Sequence, residues 1–339
     1  MESYLFNFGI AFVLTAIATP FCRWLAFRWD IVDHPGYRKI HHRAMPLLGG
    51  LAIYLGFLIA TLIDGRDSGT TKILIGGSVI LMLGLLDDKY AMGARVKFIL
   101  PGLAALVLIY LGIESVFLPE VWHNLLNIGF SFLWIVGIVH AFNIIDNMDG
   151  LSSGVACISA LAFGVLGLLT NQYTVAVLAF SLAGACLGFL LFNFPPAKIF
   201  AGDAGSMFMG FTLATIAIYA SWETLNLTTS LLMPVLALGY PIYDTAFVTI
   251  LRVWNRKPFW IGDANHTSHR LVKIGFSQRS TILLLYLLSF GLALTAVIIN
   301  TLPFSVAMLV VGVVLFLLLA ISLILGKVPF VWKDNKQQN

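Results

Sequence analysis

Charge is what this sequence has least of. Asp, Glu, Lys and Arg together make up 11% of its 339 residues, while apolar residues make up 59%. An ordinary soluble chain carries about 25% charged residues, so this one lacks the means to cover a water-facing surface. Cysteine is scarce as well. The three present, Cys22, Cys157 and Cys186, lie in apolar segments with no CxxC pair, which argues against a disulfide framework and against a zinc site. The formal charge is only +4, and the basic residues are scattered, with no arm or face able to track a phosphate backbone. Nucleic acid is therefore not expected as a partner. Residues 1–20 have neither the basic start nor the small-residue cleavage site of a secretory leader and read as a first span. No internal repeat or low-complexity stretch stands out.

What fills the chain instead is a series of apolar runs near the roughly 20 residues a helix needs to cross hydrocarbon. They fall near 4–22, 47–63, 72–86, 98–112, 128–145, 152–170, 174–191, 206–221, 230–251, 280–299 and 304–326. The expected fold is an all-α polytopic membrane helical bundle, a single integral membrane domain over 1–339. About eleven transmembrane helices are expected. Ten is the alternative, because the third and fourth runs are short enough to need tilt or packing partners.

The connections after odd-numbered spans, with the C-terminal tail, hold 18 of the 20 basic residues; only Arg66 and Lys72 fall on the other side. Cytosolic loops attract Lys and Arg, so the N-terminus is expected outside and the C-terminus in the cytosol. That sidedness also sorts the acids. Asp87, Asp88, Asp146, Asp149, Asp203 and Asp263 all fall at cytosolic span ends or in cytosolic loops. Loops near 23–46, 87–97, 143–151, 192–206 and 252–279 thus bring carboxylates, histidines and basic groups to one face.

Asp87 and Asp88, in GLLDDKY, close the third span, where unpaired helix carbonyls already concentrate negative charge. A cation such as Mg2+, or a basic side chain such as Lys97, would relieve the mismatch, and simple solvation at a helix end is the bland alternative. Asn143, Asp146 and Asp149, in NIIDNMDGL, recur every third residue and share one helix face while the fifth span continues. Oxygen groups so arranged suit a hard cation or a nucleotide, and polar packing between helices is the alternative. Asp203 lies between Gly202 and Gly205 in AGDAGS, just before the eighth span, with Ser206 as the expected N-cap. Exposed N–H groups there favour a phosphate oxygen, with Asp203 holding a shared metal. His266, His269 and Arg270, in NHTSHRL, suit pyrophosphate recognition, with plain surface histidines as the alternative. Asp244, near the end of the ninth span, either serves the site or pairs with Arg252.

Taken in order, KIHHRAMPLLGG, GLLDDKY with ARVK, NIIDNMDGLSSG, AGDAGS and NHTSHRL resemble the polyprenyl-phosphate N-acetylhexosamine-1-phosphate transferases across residues 38–277. The histidine loop looks more like the branch that moves N-acetylglucosamine-1-phosphate than the muramoyl-pentapeptide branch, which usually shows three consecutive histidines. Ser268 departs even from the nearer branch, where a histidine is common. The resemblance implies Mg2+ or Mn2+, a UDP-N-acetylhexosamine donor and a polyprenyl phosphate such as undecaprenyl phosphate as acceptor in the bilayer. A homodimer is left open. It further implies that Asp203 and Asn143 hold the metal and that Asp146 and Asp149 line the nucleotide or diphosphate side. Lys39, Lys97, His266, His269 and Arg270 would meet phosphates and sugar. Asp87 and Asp88 are the candidates for activating or positioning the acceptor phosphate, or for a covalent intermediate. The alternative from another class is an ion-coupled transporter, which would place acids at mid-span and show repeats.

Overall fold

The computed structural model describes residues 2–34, 44–64, 67–113, 124–220, 227–258 and 263–331. Among them every one of the eleven apolar runs becomes helical. The helices are α1 (Glu2–Arg28), α2 (Gly49–Asp64), α3 (Ser68–Tyr90), α4 (Ala94–Tyr110), α5 (Asn124–Ile145), α6 (Leu151–Leu169) and α7 (Tyr173–Asn193). After them come α8 (Gly202–Tyr219), α9 (Leu227–Ala237), α10 (Gly239–Trp254), α11 (Thr267–Lys273), α12 (Gln278–Ile299) and α13 (Phe304–Gly326). A small antiparallel pair, β1 (Val32–Asp33) with β2 (Met45–Pro46), sits in the first long connection. The chain is a multi-pass helical membrane protein.

Among the described residues, seven helices are long and apolar enough to cross a membrane on their own, or eight when α9 and α10 count as one broken span. The remaining runs give shorter or more polar helices. α2 has 16 residues, the apolar part of α4 is Ile99–Tyr110, and α8 opens with the polar GDAGS. A short helix satisfies its own backbone but needs taller neighbours to hide its ends from lipid. The ninth run is not one helix. It breaks at Leu238, and α10 leaves α9 at 80°.

α8 is the axis of the bundle. It is apolar on all sides, and from Gly202 to Ile218 every residue except Asp203 is buried, as expected for a helix without a solvent or lipid face. α3 and α5 flank it, α2 reaches its first turn, and α1, α6 and α7 pack beyond. Glycines set the closest approaches. A Cβ on Gly50 would collide with Gly205 N, and one on Gly84 would collide with Ala204 Cα. At the periphery α13 shows Leu309, Val313, Phe316 and Leu323 outward, a face suited to lipid.

Candidate active site

At one end of the bundle the connections close around a cavity of about 920 Å³. Backbone bonds assemble its walls. Phe200 N donates to Pro46 O (2.9 Å), Gly49 N to Phe200 O (3.1 Å) and Gly50 N to Ala201 O (2.9 Å). The segment before α8 is therefore stitched to β2 and to the start of α2. Asn193, at the end of α7, ties the next wall. Its Oδ1 accepts from Gly150 N and Ser153 Oγ, both at 3.0 Å, and its Nδ2 donates to Ile199 O at 2.9 Å.

The acids meet where α3 ends and α8 begins. Asp88 reaches across to cap α8, its Oδ1 accepting from Asp203 N (2.7 Å) and its Oδ2 from Ala204 N (3.1 Å). A carboxylate is favourable there because a helix N-terminus presents unpaired N–H groups. Gly202, at φ +72°, makes the turn, and a Cβ on it would lie 2.5 Å from Asp88 Oδ2. Ser206 is thus not the N-cap. It stands one turn inside the helix and accepts from Asn143 Nδ2 at 3.1 Å. Nor are the first N–H groups of α8 open to phosphate, since Asp88 occupies two of them.

Asp87 is buried. Its Oδ1 accepts from Met92 N at 2.9 Å, and its Oδ2 lies 2.8 Å from Lys97 Nζ. Lys97 also pairs with Asp203 Oδ2, and Asn143 Nδ2 donates to Asp203 Oδ1 at 2.7 Å. One ammonium and one amide thus reconcile carboxylates from two helices. Of the two remedies the sequence allowed for the paired acids, the basic side chain is present.

The face shared by Asn143, Asp146 and Asp149 is shorter than the spacing suggests. α5 stops at Ile145, and Asp146–Asp149 form a turn that ends at Gly150, φ +75°. The turn still delivers Asp146, Asn147 and Asp149 to the cavity wall. Asp149 Oδ2 accepts from Ala197 N at 3.0 Å, and Asp146 Oδ1 accepts from Ser152 Oγ at 2.5 Å. Burial pushes the Asp146 carboxyl up to about 7; the Ser152 hydroxyl opposes that rise, and the charges of Asp203 and Asp149 add to it. Asp263, in the loop before α11, goes the other way. Burial would raise it, yet the Arg252 hydrogen bond and charge hold it below the usual carboxylate range.

The histidine motif divides. His269 lines the cavity, and burial, followed by the charges of His266 and Lys273, holds it below the ordinary histidine value. His266 turns away and is buried against Asp244. Arg270 also stands apart, contrary to a role at the phosphates. It is completely buried, with Nη1 donating to Leu325 O (2.8 Å) and Val328 O (2.7 Å) and Nε to Asn265 O (2.9 Å). Lys39 lies outside the described residues. Asn147, Asn193 and Gln278 line the cavity without having been singled out. Asn193 was detectable as a polar residue closing an apolar run, the same signal that marks Asn143.

Asp203 offers carboxylate oxygens of the kind a hard divalent cation takes, and in this structure they face Lys97 Nζ and Asn143 Nδ2. Among the described residues no three acids, histidines or cysteines converge closely enough to hold a metal by themselves. Asp203 would hold such an ion with phosphate oxygens and water as its remaining ligands, the usual habit of Mg2+; Asn143, whose Nδ2 faces Asp203 and Ser206 here, would join through its amide oxygen.

A family model described as Glycosyl transferase family 4 matches residues 70–221. The chain is 33% identical to the "Probable undecaprenyl-phosphate N-acetylglucosaminyl 1-phosphate transferase" of Bacillus subtilis over 329 residues, covering 95% of this chain and 92% of that one. It is 32% identical to the "Decaprenyl-phosphate N-acetylglucosaminephosphotransferase" of Mycolicibacterium smegmatis, covering 84% of this chain and 80% of that one. With the "Undecaprenyl-phosphate alpha-N-acetylglucosaminyl 1-phosphate transferase" of Thermotoga maritima it shares 31% identity, covering 84% and 86%.

Proposed function

Because the chain belongs to the polyprenyl-phosphate N-acetylhexosamine-1-phosphate transferases of glycosyl transferase family 4, we propose that it moves N-acetylglucosamine-1-phosphate from a UDP-sugar to a polyprenyl phosphate. An oxygen of the lipid phosphate attacks the donor's β-phosphorus. The bond from that phosphorus to the bridging oxygen breaks, UMP leaves, and a polyprenyl diphosphate sugar remains in the bilayer. The bond between sugar and phosphate is not touched. Such a product starts a glycan on a lipid carrier.

Two anions must meet for this to happen, so the protein's work is neutralisation and alignment. Lys97 supplies a fixed positive charge beside Asp87 and Asp203. His269 stands in the wall, held by burial below the ordinary histidine value, where its ring can meet a phosphate or sugar oxygen. Asp146 and Asp149 line the part of the cavity suited to nucleotide hydroxyls and base edges. Asp87, buried and paired with Lys97, is the candidate to position the acceptor phosphate. Asp88 serves chiefly to hold the start of α8. When bound through Asp203 and Asn143, Mg2+ or Mn2+ would neutralise charge on the phosphates. The site opens at the end of the bundle where the basic loops lie, which supports a cytosolic mouth in the cytoplasmic membrane. There a soluble nucleotide meets a phosphate whose tail stays in lipid.

The observation that carries this reading is the convergence of Asp87, Asp88, Asp146, Asp149 and Asp203 on one cavity at one end of the bundle. An ion-coupled transporter would instead spread its acids through mid-span. Purified protein with labelled UDP-N-acetylglucosamine, undecaprenyl phosphate and Mg2+ should form labelled lipid. Chelation of the metal should abolish it, and Asp203→Asn should lower kcat by about 100-fold or more. Transfer that persists under chelation and in the variant would refute the site. Parallel donors establish the sugar.

A further inference from the structure

The break between α9 and α10 carries a carboxylate inward. Asp244 is completely buried on α10. It does not pair with Arg252, which binds Asp263 Oδ2 through Nε at 3.0 Å. Asp244 faces the histidine loop instead. Its Oδ2 lies 2.7 Å from His266 Nδ1. Its Oδ1 accepts from Thr267 N at 2.8 Å and from the Thr267 hydroxyl at 2.6 Å. A buried carboxylate is costly unless donors fill its lone pairs, and here two consecutive residues supply three. A carboxylate only accepts, so His266 Nδ1 carries the hydrogen, and the imidazole is fixed in orientation.

These donors are the N-cap residue and the first residue of α11, and within the first turn α11 places His269 in the cavity wall. The two imidazole rings are 6.3 Å apart at 62°. Other bonds dock α11 from different sides. Ser268 Oγ donates to Asn147 Oδ1 at 2.7 Å, and Arg270 grips the carbonyls of Leu325 and Val328. Asp244 holds the His266 side of the first turn, where the Tyr240 hydroxyl also lies 3.2 Å from that of Thr267.

We propose that Asp244 is a positioning residue for the transfer reaction: by holding His266 and the start of α11 it sets the place of His269 in the cavity, while touching no reacting atom itself. The role rests on the cavity being the transferase site. The break at Leu238, followed by Gly239 and Pro241, turns α10 by 80° from α9, and Asp244 lies on the turned segment.

A double-mutant cycle in the full-length protein tests the role, with UDP-N-acetylglucosamine, undecaprenyl phosphate and Mg2+ as reactants. Asp244→Asn keeps an acceptor for Thr267 but sets an amide where His266 Nδ1 needs an oxygen. It should lower kcat about 10- to 100-fold, the scale on which partners that orient functional imidazoles act, with KM for undecaprenyl phosphate within about twofold. In a His269→Ala background the same substitution should cost less than about threefold. Equal losses in both backgrounds, or no loss in the first, would overturn the role. If Asp244→Asn does not give monodisperse protein, His266→Gln replaces it in the cycle, and the same losses support or overturn the role. Absence of transfer by the unmodified protein overturns the proposed function and this role together. Transfer with additive losses overturns the role alone.

Discussion

Lys97 and Asp146 show how differently two residues of one cavity carry charge. Lys97 stands between Asp87 and Asp203, so its ammonium faces one carboxylate from each of two helices. Asp146 has only the Ser152 hydroxyl for help, and burial lifts it to about 7. Its carboxyl is therefore easier to protonate in the folded protein than in the unfolded chain. That preference stabilises the fold fully below the unfolded value of about 4 and is lost as pH rises through about 7. Asp146→Asn, which cannot ionise, should therefore gain stability over the parent as pH rises. The gain at pH 8 relative to pH 4 should approach, at most, about 4 kcal/mol. Thermal melts in detergent at the two pH values decide it, and an equal effect at both would sink the idea. At this scale the sequence was informative about identity and poor about partners. The acids were legible from their positions at span ends. That Asp88 caps α8, or that Arg270 reaches the carbonyls of Leu325 and Val328 at the end of α13 and just past it, depends on pairings more than 50 residues apart, which spacing does not encode.

Among the elements, helix positions followed from apolar runs, while helix ends followed from local chemistry that overrides periodicity. α5 ends before Asp146 because the turn to the left-handed Gly150 starts there, its backbone held by Asn193. α8 starts at Gly202, four residues ahead of the expected Ser206, because a side chain from α3 supplies its cap. The break between α9 and α10 was not foreseen, although Gly239 and Pro241, directly after Leu238, carry the signal for it. The close approach of α3 to α8 supplies a prediction. Gly84→Val would put its side chain against the backbone of Ala204, which cannot yield as a flexible side chain would. The start of α8 should move with Asp203, costing about 1–3 kcal/mol in stability and most of the transfer activity. Gly93→Ala, with no atom near its Cβ position, should leave both intact in the same melt and transfer assays.

For the whole molecule, sidedness is what turns a bundle into a site. The partition of 18 basic residues against two was the strongest large-scale signal in the sequence, and the convergence of the acid-bearing loops at one end agrees with it. The three native cysteines are all buried, so labelling can be read against a quiet background. An impermeant maleimide applied to intact cells should modify Glu223→Cys and spare Lys336→Cys until the membrane is opened. The reverse pattern would invert the topology.

The grip of Arg270 and Asn265 on the chain just beyond α13 also bears on biosynthesis. Asn265 exchanges two hydrogen bonds with Val331, and Arg270 holds Leu325 and Val328. The loop that presents His269 leaves the ribosome well before those carbonyls exist. Its clasp closes only after the last span has been translated and inserted, so in a nascent chain stalled before α13 the Asp244 and Asn147 bonds are the ones already able to form around His269.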